Sequence, residues 1–206
     1  MAGSGFRTRL CLVTPPQAGR HVPDALREAI GAGDVATLLI DPASGATETL
    51  AELAAIAMDR GVAAVFVGAE PPARADGVQV ETGVEDLRAA RKRVGENGIV
   101  GAGGVHSRHD AMTMGEALPD YLFFGRIDGD DAPAIHPKAF ELANWWSELF
   151  EIPAVVMGGA EVGSVGAAAT AGIEFVALRR AVWNHPDSPG EAVVSANREL
   201  ELKQRS

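Results

Sequence analysis

The sequence predicts an α/β protein, a single (β/α)8 TIM barrel that spans residues 1–206 as one domain. Eight short apolar runs recur along the chain, and segments with helical spacing separate most of them. The runs are apolar on both faces, as parallel strands between two layers are. The strand candidates are Arg9–Val13, Ala36–Ile40, Ala63–Val67, Gly77–Val80, Ile99–Ala102, Tyr121–Phe124, Ala154–Met157 and Phe175–Leu178.

Helical periodicity appears between these runs. One apolar stripe is formed by Leu50, Leu53, Ala54 and Ala57. The crossover at Gly68–Arg74 is the exception, because its two prolines leave too little chain for a full helix, and we expect an irregular or missing helix after strand 3. The rival architecture, an open doubly wound sheet, lacks support from a glycine-rich dinucleotide fingerprint near the N-terminus. The helix candidates are Thr49–Arg60, Val84–Val94, Pro137–Phe150 and Val162–Ala171.

Composition limits the partners of the chain. A formal net charge of −10 argues against binding nucleic acid, and no apolar run approaches the length that spans a membrane. The single cysteine, Cys11, excludes an internal disulfide and fits a reducing compartment, so we expect a cytoplasmic protein. The sequence leaves open whether the chain forms a homodimer.

A glycine pair follows the seventh apolar run, and two arginines follow the eighth. In a barrel of this kind the loops after the last two strands commonly bind a phosphate. Glycines let backbone N–H groups approach an anion, and a following helix N-terminus adds a favourable dipole. We therefore predict phosphate binding by Gly158, Gly159, Arg179 and Arg180. The structural alternatives are a tight turn for the glycines and ordinary surface charges for the arginines.

Several segments, in this order along the chain, resemble the thiamine-phosphate-synthase superfamily. They are Ala75–Val80, Gly101–Ser107, Asp120–Ile127, Met157–Gly159 and Ala171–Val176. The resemblance implies a TIM barrel and one of two activities. The synthase branch joins a hydroxymethylpyrimidine pyrophosphate to a thiazole phosphate and needs magnesium. The thiazole tautomerase branch shifts a proton and implies a histidine in the fifth-strand loop, where His106 stands.

Residues typical of the synthase branch are largely replaced. Its cationic pattern on strand two is here Thr37–Pro42, with apolar residues in place of the cations, and its fourth-strand histidine is Gln79. The strand-three Asn-Asp becomes Val67-Gly68. The threonine- and lysine-bearing segment after strand six becomes Asp128–Pro133, whose carboxylates repel a pyrophosphate. The chain has only three lysines, so few substitutes exist.

Two residues at strand ends are candidate catalysts. His106 is suited to general acid–base work, because imidazole both takes and gives a proton near neutral pH. Glu81, just past strand four, is a candidate general base. The alternatives are a loop histidine or helix cap for His106, and a cap or free surface carboxylate for Glu81. The acidic loop Asp128–Asp131 fits no calcium-loop spacing, and we expect it to be solvated, with no metal site.

The strand-end residues predict a phosphate-binding barrel, and the resemblance implies that, if the chain is an enzyme, it transfers a proton on a thiazole phosphate or a similar phosphorylated heterocycle. Its partner is then a small phosphorylated ligand, with the reacting ring directed toward His106. A degenerate thiamine-phosphate synthase, acting as a transferase, is the first alternative. A non-catalytic sensor of a phosphate ligand is the second. No cofactor is expected, except magnesium under the synthase alternative.

Overall fold

The computed structural model describes residues 7–68, 70–71 and 74–204. Eight parallel strands hydrogen-bond in chain order, and the last strand pairs with the first, which closes the sheet into a barrel. The (β/α)8 fold expected from the sequence is confirmed. The strands are β1 (Arg9–Val13), β2 (Val35–Ile40), β3 (Ala63–Val67), β4 (Gly77–Val80), β5 (Ile99–Val105), β6 (Tyr121–Phe124), β7 (Ala154–Met157) and β8 (Phe175–Leu178).

Helices surround the barrel. Between β3 and β4 the described residues contain no helix, as the prolines there predict, although Pro72 itself lies outside the described residues. Within the described part of the chain, no helix combines the length and apolarity needed to cross a membrane. The helices are α1 (Val22–Ala32), α2 (Thr47–Asp59), α3 (Val84–Val94), α4 (Arg108–Gly115), α5 (Pro137–Leu149), α6 (Val165–Ala171), α7 (Arg180–Trp183) and α8 (Pro189–Gln204).

The core has two layers, one inside the barrel and one between the strands and the helices. The apolar stripe predicted on α2 is buried in the outer layer. Trp146 of α5 is also buried there, stacks on Phe150 and donates its indole N–H to the Ile152 carbonyl oxygen (2.7 Å). The inner layer consists of Cys11, Val13, Leu39, Val65, Tyr121, Phe123, Val155, Met157 and Ala177. Burial raises the pKa of the Cys11 thiol to about 12, so this thiol is protonated.

Element boundaries differ from the sequence prediction at two places that shape the barrel mouth. β5 runs on to Val105 through Gly103 and Gly104, with an irregular register against β6 between Ala102 and Val105. Glycines often indicate the end of a strand, but here Gly103 and Gly104 form a bulge, and the strand continues beyond them to Val105. After β7, the segment Val162–Ser164 is a 3-10 turn, so α6 begins later than its apolar periodicity predicts.

Candidate functional site

Glu81 and His106 stand at the carboxyl ends of neighbouring strands. Glu81 follows β4 directly and His106 follows β5, and the two strands pair in parallel register. Both residues line one cleft of about 440 Å³ at this end of the barrel. Active sites of this fold lie at the carboxyl ends of the strands. The structure therefore brings the two candidate catalytic residues to a single cleft.

A chain of hydrogen bonds from inside the barrel holds the Glu81 carboxylate. The Tyr121 hydroxyl donates to Gln79 Oε1 (3.0 Å), and Gln79 Nε2 donates to Glu81 Oε1 (3.0 Å). Gln79 and Tyr121 are both buried, so the packing around them limits how far they rearrange. One carboxylate oxygen of Glu81 is thus positioned by two side chains that do not face the solvent.

The surroundings of Glu81 change its acidity. Desolvation raises the pKa of the Glu81 carboxyl above its usual range, although much of the side-chain surface faces solvent. The hydrogen bond from Gln79 opposes this shift, and the negative charges of Asp41 and Asp128 add to it. The positive form of His106 lowers the pKa again. A carboxyl whose pKa rises toward the working pH is a more effective acid–base catalyst.

Two glycines of β5 make this arrangement sterically possible. A Cβ atom on Gly101 would lie 2.1 Å from Cζ of Tyr121, so only glycine leaves room for the ring that holds Gln79. Gly104 has a φ of +69°, and a Cβ atom there would lie 2.5 Å from the Glu81 carbonyl oxygen. The glycine-rich segment that resembles the family thus serves close packing against β4 and β6.

His106 stands between β5 and α4 without capping the helix. Its backbone N–H donates to Asp110 Oδ2 (3.1 Å), while Ser107 Oγ accepts from the Asp110 N–H (3.1 Å). Ser107 is therefore the N-cap residue, and the helix-cap alternative for His106 is wrong. A hydrogen bond with the Ser107 hydroxyl is the main cause that lowers the pKa of the Asp110 carboxyl. Burial opposes this shift, and the backbone N–H groups of His106 and Ser107 add to it. The imidazole is exposed at the mouth.

His106 also borders a second cavity, of about 250 Å³, on its other side. Three further basic side chains line this cavity, Arg126, His136 and Lys138, together with the carboxylate of Asp131. In a chain of net charge −10, a cavity with this lining is a local concentration of basic groups. An anionic part of a ligand can therefore lie beside His106.

Arg179 connects three strands at the mouth. Its Nε donates to the Thr14 carbonyl oxygen (2.9 Å), and its Nη2 donates to Asp41 Oδ2 (3.0 Å). The Asp41 backbone N–H in turn donates to Thr14 Oγ1 (3.0 Å). The Arg179 side chain is buried, with 5% of its surface exposed, so it is not an ordinary surface charge. Phosphate binding by Arg179 stays a prediction, and its guanidinium is committed to Asp41 as the structure stands.

The backbone N–H groups of the glycine pair are also engaged within the protein. Gly158 donates to the Ala177 carbonyl oxygen (2.8 Å), which continues the β7–β8 ladder. Gly159 donates to Ser164 Oγ (3.0 Å). Phosphate binding at this turn stays a prediction, because an anion has to displace these partners before the N–H groups can donate to it.

The two acidic residues after Gly129 surround Arg180. The Arg180 backbone N–H donates to Asp130 Oδ2 (2.6 Å), and its guanidinium donates to the Asp130 carbonyl oxygen (3.2 Å) and contacts the Asp131 carboxylate. Asp130 is fully buried, so the expectation of a solvated acidic loop is wrong for this residue. Asp128 does face the solvent, where it forms an ion pair with Arg126 (2.8 Å).

The magnesium that the synthase resemblance implies has no complete protein-built site in the part of the chain that the structure describes, because no group of three or more His, Cys, Asp or Glu side chains is arranged there to hold a metal ion. Magnesium in proteins is usually bound by one or two carboxylates together with substrate phosphates. Of the carboxylates at the mouth, Asp41 is paired with Arg179 and Asp128 with Arg126.

Sequence reasoning gave no role to Gln79, Tyr121 or Asp41. The role of Gln79 could have been recognised from the sequence, because a polar side chain within an apolar strand needs a hydrogen-bond partner when it is buried. The ion pair between Asp41 and Arg179 could not, because the two residues are 138 positions apart in the sequence. Only the closure of the barrel brings them together.

Comparison with known proteins adds to this geometry. A profile of the family described as "Thiamine monophosphate synthase" matches residues 10–182. The chain is 35% identical to a thiamine-phosphate synthase of Hyphomonas neptunium, over 93% of each chain. It is 34% identical to a thiamine-phosphate synthase of Rhodospirillum centenum, over 92% of this chain and 96% of that protein.

Among solved structures, the chain resembles a thiamine phosphate pyrophosphorylase from Pyrococcus furiosus, with a TM-score of 0.75. The match covers 96% of this chain and 98% of the other, at 21% sequence identity. At this level of identity the comparison supports the fold alone, which agrees with the closed barrel described above.

Proposed function

We propose that this chain, which belongs to the thiamine monophosphate synthase family, is an enzyme that transfers a proton on a small phosphorylated heterocycle at the barrel mouth. The observation that carries this proposal is the Glu81 carboxyl, which is held from behind by Gln79 and shares a cleft with His106. Its pKa is raised, so it exchanges a proton more readily near neutral pH than an ordinary surface carboxyl.

In the proposed reaction Glu81 removes one proton from the substrate and His106 adds another at a different atom. The Glu81 carboxylate takes a proton from a carbon of the ring, and the protonated His106 imidazole gives a proton to a second ring atom. One proton leaves and one arrives, so the product is a tautomer of the substrate with the same composition and charge. Gln79 and Tyr121 act as positioning residues, because they fix the Glu81 oxygen without facing the cleft.

Turnover of a thiazole carboxylate phosphate tautomer, followed by its ultraviolet spectrum, tests this proposal. Glu81→Gln and His106→Asn should each lower kcat by about a hundred- to ten-thousand-fold, the usual contribution of a positioned acid or base. Glu85→Gln is the matched control, because Glu85 is an exposed carboxylate on α3 that pairs with Arg88 outside the cleft. It should leave kcat unchanged.

The pH profile separates a proton-transfer role from a structural one. If Glu81 is the base, kcat/KM of the parent protein should rise with pH through the raised pKa of this carboxyl. The complete profile should be bell-shaped, because the proposed reaction also needs a protonated acid. Parent-like turnover by Glu81→Gln would contradict the proposal. A parent protein that binds the phosphate ligand without turning it over would favour the sensor alternative.

A second candidate is the transferase activity for which the relatives are named. The observation in its favour is that proteins called thiamine-phosphate synthase match almost the whole chain at 34 and 35% identity. Asp41 and Asp128 at the mouth are each paired with an arginine, and the Glu81 carboxylate counts against this candidate because it repels a pyrophosphate. Binding of the pyrimidine pyrophosphate distinguishes the two candidates.

A further inference from the structure

The cavity of about 250 Å³ beside His106, which we call the basic cavity, has an apolar inner surface and a polar rim. The histidines, the lysine and the arginine that line it are exposed, so they form the rim. Sites that enclose a whole small molecule usually measure about 300–1,000 Å³, so a cavity of this size fits one substituent of a ligand. The inner surface consists of four buried side chains, Val105, Ala139, Leu142 and Met157.

Two basic side chains of the rim are not paired within the described part of the chain. Arg126 is paired with a neighbouring carboxylate, and the Asp131 carboxylate contacts the Arg180 guanidinium. Neither Lys138 nor His136, by contrast, forms an ion pair or a side-chain hydrogen bond with any residue that the structure describes. The Lys138 ammonium is therefore an uncompensated positive charge next to an apolar surface, and it attracts an anionic group of a ligand.

His106 connects the basic cavity to the catalytic cleft, because it lines both. A ring that takes a proton from His106 therefore lies at the boundary between the two spaces, and a substituent bonded directly to that ring extends into the basic cavity. One free ammonium matches the single charge of a carboxylate. A phosphate monoester carries about −1.5 to −2 charges at pH 7, which is more than Lys138 alone offsets.

We propose that the basic cavity recognises a carboxylate bonded directly to the ring of the substrate, and that Lys138 is the residue that sets this specificity. The Lys138 ammonium donates a charge-assisted hydrogen bond to the carboxylate, and the His136 imidazole is a second donor at the same rim. The ligand class is a heteroaromatic carboxylate. The inference rests on the proposed function only for the position of the ring beside His106.

Titration calorimetry with two probes tests the proposal. The probes are thiazole carboxylate phosphate and the thiazole phosphate that lacks the carboxyl group. The parent protein should bind the carboxylated probe at least about tenfold more tightly, the usual effect of one hydrogen bond to a charged group. Lys138→Met removes the charge and the donor, and it should reduce this preference to about threefold or less, with little change in the affinity for the second probe. Lys138→Arg keeps the charge and should retain the preference.

Lys92→Met is the matched control, because Lys92 is an exposed lysine of α3 that lines neither cavity. Its affinities for both probes should stay within about twofold of the parent values, since screened surface charges act weakly at a distance.

Equal losses of affinity for the two probes in Lys138→Met would overturn the proposal, because they would place the phosphate group, and not the carboxylate, beside Lys138. A preference that survives in Lys138→Met, or that the parent protein does not show, would overturn it as well. A preference that depends on Lys138 in a protein without turnover would support this inference and contradict the proposed function.

Discussion

Arg179 and Arg180 are adjacent, yet each is neutralised by a carboxylate from a distant part of the chain. Arg179 pairs with Asp41 in a buried position, and Arg180 pairs with Asp130 and Asp131. Separating a buried ion pair leaves an uncompensated charge in the protein interior, which costs free energy, so a buried pair of this kind stays formed. The two positive charges visible in the sequence therefore do not amount to a free cationic site for an anion in this conformation.

At the same scale, Glu81 links the stability of the protein to pH. Its carboxyl has a raised pKa in the folded state, so the folded state favours the protonated form. The stabilisation is fully present below the ordinary glutamate pKa of about 4.3 and is lost as pH rises through the folded value. The side chain of the Glu81→Gln variant is neutral at every pH, so this variant does not lose stability as the pH rises through that range. The melting temperature of this variant should therefore rise relative to that of the parent as the pH increases from about 4.3 toward neutrality.

Thermal melts across that pH range, recorded by circular dichroism, check the expectation. Glu85→Gln again serves as the control, because Glu85 is exposed and paired with Arg88. A pH-dependent gain of the same size in the control would mean that general surface charge, not the site around Glu81, is responsible.

Among the elements, β5 has glycines at the positions where residues next to the neighbouring strands need space. Tyr121 of β6 lies over Gly101, and Glu81 lies beside Gly104, so the small residues of β5 create the space in which the hydrogen-bond chain forms. This explains a glycine-rich strand within a sheet, where glycine otherwise weakens the structure. The glycines of the segment that resembles the family are thus explained by packing.

Gly101→Ala should destabilise the protein by about 1–3 kcal/mol, the usual cost of an overpacked core, because its Cβ collides with the Tyr121 ring. Urea denaturation measures this change. The control is Gly163→Ala, since a Cβ atom on Gly163 meets nothing within 4 Å. Displacement of Tyr121 should also release Gln79, so kcat should fall in the first variant and not in the second. Equal stability of the two variants would contradict the packing argument.

The strands were predictable from the sequence, whereas the helix candidates covered α2, α3, α5 and α6 and not the other four helices of the described residues. Parallel strands buried on both faces show as continuous apolar runs, which located all eight strands from the sequence. The extension of β5 to Val105 was missed because Gly103 and Gly104 usually indicate a loop. The burial of Asp130 was missed because it depends on a hydrogen bond to Arg180, 50 positions away. Local patterns do not record contacts of this kind.

For the whole molecule, charge is the property that separates the two candidate functions. The net charge is −10, and the chain contains three lysines. At the mouth, Ile40 is buried in the core and Pro42 begins a 3-10 turn, so neither position offers a cation. Arg179, a buried cation there, is paired with Asp41, and Arg126 is paired with Asp128. We therefore expect little free positive charge for a pyrophosphate on the β2 side of the mouth, because the cavity that contains Lys138 and His136 lies on the other side of His106.

Hydroxymethylpyrimidine pyrophosphate should accordingly bind the parent protein with a Kd weaker than about 1 mM, even with magnesium in the buffer. Titration calorimetry measures this affinity directly. Asp128→Asn should tighten the binding severalfold if repulsion at the mouth is the cause, because it removes an exposed charge that also acts on Glu81. A micromolar Kd in the parent protein would overturn this expectation and favour the transferase, since binding at that level requires cationic contacts that outweigh the carboxylates.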